Sequence, residues 1–157
     1  MKTPEEFAEK AKKLFLEGYN CSQAVLLAFE DITNLDTKTA AMLSSSFGGG
    51  MGRLREVCGA VSGMFMVAGL TQGYYDPKAK EEKTAHYLPI QSLAEEFKKE
   101  NRTIICRELT GLNADGSAVP AERTAEYYKK RPCVDLVGDA ARITAKFLQN
   151  QQYRQKD

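Results

Sequence analysis

The chain has 157 residues, 22 basic and 21 acidic side chains and a formal charge of +1, with the charges spread through every segment. That length fits one domain spanning residues 1–157, which buries about two-thirds of its unfolded surface without staples, and so balanced a charge excludes an electrostatic footprint for nucleic acid or an anionic membrane. The start Met1-Lys2-Thr3-Pro4-Glu5-Glu6 is polar and no apolar run reaches membrane-spanning length, so the expectation is a cytoplasmic protein with no membrane insertion.

Thr3-Pro4-Glu5-Glu6 predicts a helix start, with Thr3 as N-cap, Pro4 at the first helical position and Glu6 completing a capping box. Phe7, Ala11, Leu14 and Phe15 share its inner face, and Gly18 ends it. Asn20 caps a second helix, with Gln23 three residues on and Ala24, Val25, Ala28 and Phe29 as the apolar stripe, so Cys21 falls in its first turn. Asp36 or Thr37 opens a third helix, which the glycines at 48 to 50 terminate.

From about Leu54 to Leu70 the chain is almost wholly apolar or small. Its length and the helical spacing of Gly59, Ala60 and Gly63 predict a central buried helix that a neighbour approaches closely. The interior glycines, which weaken a helix by roughly 1 kcal/mol each, leave a buried strand pair as the alternative. Gly73 closes this segment, Asp76-Pro77 opens another helix, and Pro89 kinks or divides it before Leu93, Ala94 and Phe97 resume the pattern. A short helix over residues 103–109 carries Cys106, residues 113–117 form a polar loop, and residues 120–129 offer one more short helix. Pro132-Cys133 starts the last helix, and the polar tail from Gln149 frays. No strand pattern emerges, so the fold class is all-α: a bundle of about six to eight helices around a Gly/Ala/Met-rich centre.

The four cysteines, Cys21, Cys58, Cys106 and Cys133, stand singly, so any joint chemistry requires them to meet in space. In a reducing compartment they are metal ligands, redox groups or small buried residues before they are staples. A helix N-terminus favours thiolate, which gives Cys21 and Cys133 a reason to be reactive. Cys58, expected a few residues inside its helix, has Arg53 and Arg55 nearby to favour the anion and is the expected attacking thiolate. Four thiolates also suit zinc or an iron-sulfur cluster, although such sites commonly draw two ligands from one tight turn and this chain has no Cys-x-x-Cys. His86 is the sole histidine and the one candidate base for a Cys-His pair; a solvated or structural role is its plainer reading.

The run Gly48-Gly49-Gly50-Met51-Gly52-Arg53 offers backbone N–H groups that would cradle an anion, but it matches neither a Walker A loop nor a dinucleotide fingerprint, and a tight helix connection is the plainer reading. Tyr74-Tyr75, Tyr127-Tyr128, Met51, Met64 and Met66 read as core or interface.

With Cys21 in Gly18-Tyr19-Asn20-Cys21-Ser22-Gln23-Ala24, then Phe47-Gly48-Gly49-Gly50-Met51-Gly52 ahead of Cys58-Gly59-Ala60-Val61-Ser62-Gly63, then single Cys106 and Cys133, the chain resembles the redox-active family named for its pattern C-GCAxxG-C-C. The resemblance covers about residues 7–148 and implies a small bacterial or archaeal helical protein in which these four cysteines carry the chemistry. Three functions are carried forward: a dithiol/disulfide or electron-transfer protein, a possible oxidoreductase acting on an unidentified redox partner protein or small molecule; a protein holding zinc or an iron-sulfur cluster on the four cysteines; and a helical interaction subunit, a candidate homodimer through its central helix, with structural cysteines.

Overall fold

The structure, a computed structural model, describes residues 2–156, with side chains through residue 151. Helix α1 spans Pro4–Leu16 and α2 Cys21–Ala28. Both begin with a complete capping box. The Thr3 hydroxyl accepts from the Glu6 N–H at 3.2 Å while the Glu6 carboxylate accepts from the Thr3 N–H at 2.8 Å, and Asn20 and Gln23 make the same exchange at 2.9 and 3.0 Å.

A short helix, α3 (Glu30–Thr33), which the sequence did not signal, ends at Asn34 in the left-handed conformation, φ 59°. Asp36 then caps α4 (Thr37–Ser44), which runs through a 3-10 turn, Ser45–Phe47, into the single glycine turn α5, Gly48–Met51.

The central helix α6 spans Gly59–Gln72 rather than starting near Leu54. Residues 54–58 are not helical because Arg55 is held at φ 61° and the segment pairs across an isolated antiparallel bridge, Val57 to Ile105. That bridge is the sole β pairing among the described residues, so the fold is all-α and the strand-pair alternative for the central segment is excluded. Helix α7 spans Lys80–Asn101 without interruption at Pro89, starting later than Asp76-Pro77 suggests.

Helix α8 (Cys106–Thr110) stops at Gly111 in the left-handed region. An irregular stretch, 112–124, leads to α9 (Ala125–Lys130), which Thr124 caps. Helix α10 spans Cys133–Lys156 and so continues past Gln149, where fraying was expected.

Helix α10 packs along α1 and also meets α2, α6 and α7, while α2 lies against α6. Phe15, Val25, Leu26, Phe29, Val61, Met64, Val67, Phe97 and Val137 are fully buried in the shared core. Each such side chain stabilises the fold by about 1.5–3 kcal/mol. The apolar faces of α6 are thus largely buried inside the chain. Tyr75, expected in core or interface, is 97% exposed, whereas Met64 is buried as expected. No helix among the described residues is long and apolar enough to cross a membrane.

Candidate functional site

Each of the four cysteines stands at a helix start. Cys21, Cys106 and Cys133 are the first residues of α2, α8 and α10, and Cys58 is the N-cap of α6, not a residue inside it. All four are free thiols and all four line one cavity of about 420 Å³. Cys58 and Cys106 are buried; Cys21 and Cys133 are partly exposed.

The Cys-Gly-Ala-x-x-Gly stretch has a steric reason. A Cβ on Gly59 would lie 2.5 Å from the Cys21 sulfur and 2.8 Å from the Phe47 carbonyl oxygen, and a Cβ on Gly63 would lie 2.8 Å from the Ser22 carbonyl. The two glycines let the start of α2 press onto α6, which seats Cys21 next to Cys58. Cys106 is brought in by the bridge: the Cys58 N–H donates to the Ile104 carbonyl at 2.8 Å, and the Cys106 N–H donates to the Glu56 carbonyl at 2.6 Å.

Between α4 and the bridge the backbone is unusual. Gly49, Gly50, Met51, Gly52 and Arg53 are five consecutive residues with φ between 60° and 69°. They form a left-handed turn closed by the Arg53 N–H on the Gly48 carbonyl at 3.4 Å and the Glu56 N–H on the Gly50 carbonyl at 2.9 Å. Glycine adopts this conformation freely, but Met51, Arg53 and Arg55 each cost about 1–2 kcal/mol there. The turn directs the Gly49 N–H at the Cys21 sulfur and delivers Arg55 into the cavity. Gly48, Gly49, Gly52 and Arg53 also line it, while Gly50 is packed beneath Cys106.

The two arginines do not flank Cys58 as expected. Arg55 is buried, with Nη1 3.9 Å from the Cys106 sulfur. Arg53 turns to the 112–124 segment, donating to the Ser117 carbonyl at 2.6 Å and standing 3.6 Å from Asp115. Two further arginines line the cavity that the sequence did not single out. Arg123 donates to the carbonyls of Phe15 and Tyr19 and covers the Phe15 ring at 4.1 Å, and Arg131 lies over the Tyr127 ring at 4.5 Å. The adjacency Arg131-Pro132-Cys133 was the only local signal; Arg123 carried none.

Burial outweighs the helix-start N–H groups in setting the thiol equilibria. It pushes Cys58 well above the usual 9.0, reinforced by Cys21 and Cys133 and opposed by the N–H groups of Val61 and Ala60. It pushes Cys133 up to about 12, with Cys21 and Cys106 adding to the effect. Cys21 is also raised by burial, against the Gly49 N–H and its own helix start. The mutual effects place the sulfurs near one another, and burial favours the thiol form of Cys21, Cys58 and Cys133, contrary to the thiolates expected there.

His86 is absent from this site: it lines a second cavity with Tyr74 and Tyr75, its ring 6.2 Å from that of Tyr74. Among the described residues no three His, Cys, Asp or Glu side chains are grouped closely enough to hold a metal ion.

No curated protein and no solved structure matches the chain. Residues 19–147 match the family described as "Putative redox-active protein (C_GCAxxG_C_C)". The family's name reads Gly-Cys-Ala where this chain has Cys58-Gly59-Ala60, with Gly59 the residue that admits the Cys21 sulfur. The match spans most of the chain and contains all four cysteines of the cavity, and the chain belongs to this redox-active cysteine family.

Proposed function

We propose that the chain is a dithiol/disulfide redox protein in which Cys21 and Cys58 form the reacting pair and Cys106 and Cys133 share the cavity as a second source of electrons. The observation that carries this reading is the convergence of four free thiols from four helix starts on one cavity. Cys21 is the better first nucleophile. It is more exposed than Cys58, and three N–H groups, from Gly49, Cys21 and Ser22, oppose the effect of its burial. Cys58, which the sequence favoured, is buried and has its thiol pushed well above the usual range, and so suits the resolving role.

The exchange balances without any other reactant. The Cys21 thiolate attacks one sulfur of a substrate disulfide, and the departing thiolate takes up a proton. Cys58 then gives up its proton and attacks the Cys21 sulfur of the mixed disulfide. The second substrate thiol leaves, protonated, and a Cys21–Cys58 disulfide remains; two protein thiols are oxidised and one substrate disulfide is reduced to two thiols.

Thiol titration across a series of redox buffers, with disulfides mapped by mass spectrometry, tests this. The expected result is loss of two thiols together and a Cys21–Cys58 crosslink, with Cys21→Ser abolishing it. Four thiols that never pair at any potential refute the reading.

A further inference from the structure

Arg55 is 5% exposed, yet its guanidinium borders the cavity and no carboxylate lies within ion-pair distance of it among the described residues; its side-chain hydrogen bond is the long one to Cys106, and Asp115 acts on it only from farther off. A buried guanidinium with no carboxylate in contact is a costly arrangement that a bound anion would relieve. It is not alone. Arg53, Arg123 and Arg131 border the same cavity, no Asp or Glu among the described residues lines it, and the ion pair these four arginines make is the one from Arg53 to Asp115, which also acts on Arg55 from farther off. A chain of net charge +1 has therefore concentrated four cations around four thiols.

We infer that the cavity is an anion-binding site, with Arg55 as its principal receptor, and that the substrate is a small molecule carrying a carboxylate or oxyanion beside its disulfide. The redox half of that inference rests on the dithiol reading above; the anion site does not. A small molecule is indicated over the surface of a partner protein because Arg55 is buried against Gly49 and Gly50 of the glycine turn, in a cavity to whose wall the 112–124 segment contributes Ala118, Pro120 and Ala121. The cavity, about 420 Å³, has the size of a small-ligand site. Arg55 offers the planar fork that carboxylates and oxyanions accept in pairs, next to the Cys106 sulfur.

The test compares two aromatic disulfides, the dianionic dithiobis(nitrobenzoate) and the neutral dithiodipyridine, on the wild-type chain, Arg55→Gln and Arg55→Lys, with folding of each variant checked by circular dichroism. The readout is the ratio of the anionic to the neutral reaction rate, so that any change common to both reagents cancels. The expected result is a ratio about tenfold or more lower in Arg55→Gln, partly restored in Arg55→Lys. An unchanged ratio, or a fall of both rates in parallel as a lost partner of Cys106 would give, overturns the inference.

Sulfate protection of the wild-type thiols against neutral iodoacetamide is measured alongside and needs no variant. Saturable protection supports the site; none, up to high sulfate, counts against it. The two proposals fail separately. Disulfide formation without charge preference removes the anion site alone, and sulfate protection without any protein disulfide removes the dithiol reading alone.

Discussion

At its two ends α6 borders two cavities of nearly equal volume, about 420 Å³ beside Cys58 and about 430 Å³ beyond Gln72. The first is walled by four thiols and four arginines without a carboxylate, on a backbone that carries a left-handed turn. The second is walled by Tyr74, Tyr75, His86 and Pro89, together with the carboxylates of Asp76 and Glu82, and a hydrogen bond at its edge joins the hydroxyls of Tyr74 and Tyr87 at 3.1 Å. Volume therefore does not distinguish a site here. What distinguishes it is expensive chemistry held in place, namely buried thiols, an unpaired guanidinium and strained non-glycine residues, and proteins concentrate such costs where they act.

The sharpest break of this comparison lies in the glycines of α6. Gly59→Ala and Gly63→Ala insert a methyl group against backbone that must move, and each is expected to lower stability by about 1–3 kcal/mol. Gly69→Ala, on the same helix toward its other end, meets nothing within 4 Å and should raise stability by up to about 1 kcal/mol. Urea denaturation midpoints measure all three. Equal effects would show that the two ends of α6 are packed alike.

A pH series gives the next largest effect. Cys21, Cys58 and Cys133 all have thiol equilibria raised by burial in the folded chain, Cys133 from 9.0 to about 12. The folded state thus keeps protons that the unfolded chain releases, so their contribution is whole below pH 9 and is lost as the pH climbs from there toward 12. Thermal melts at stepped pH should show that decline, and Cys133→Ser should flatten it. A decline of the same slope in the variant would mean that Cys133 ionises as freely as in an unfolded chain.

The smallest effect is expected at the far cavity. His86 is remote from the sulfurs, so His86→Gln should leave the reaction of the thiols with a neutral disulfide unaltered, as stopped-flow absorbance would show. A slowed reaction would revive the Cys-His pairing that the fold separates.

Much of the secondary structure was legible because its causes are local. Thr3 with Glu6 and Asn20 with Gln23 are capping boxes in the sequence and in the structure, and Asp36 caps α4 as expected. The start of α6 was misplaced because composition favours a helix from Leu54, while a long-range pairing with residues 104–107 holds the chain in another conformation. The arginines were misassigned for a related reason: proximity in sequence to Cys58 says nothing about direction after a left-handed turn, and Arg55 emerges beside Cys106.

By itself the sequence determined an all-α chain and singled out the four single cysteines as its chemistry-bearing candidates, since capping, periodicity and residue type act within a few positions. Only the tertiary structure decided that the four sulfurs share a cavity, that burial there favours the thiol form of Cys21, Cys58 and Cys133, and that a guanidinium stands among them with no carboxylate in ion-pair contact. Those properties depend on distance and desolvation between residues far apart in the chain, and no local pattern encodes either.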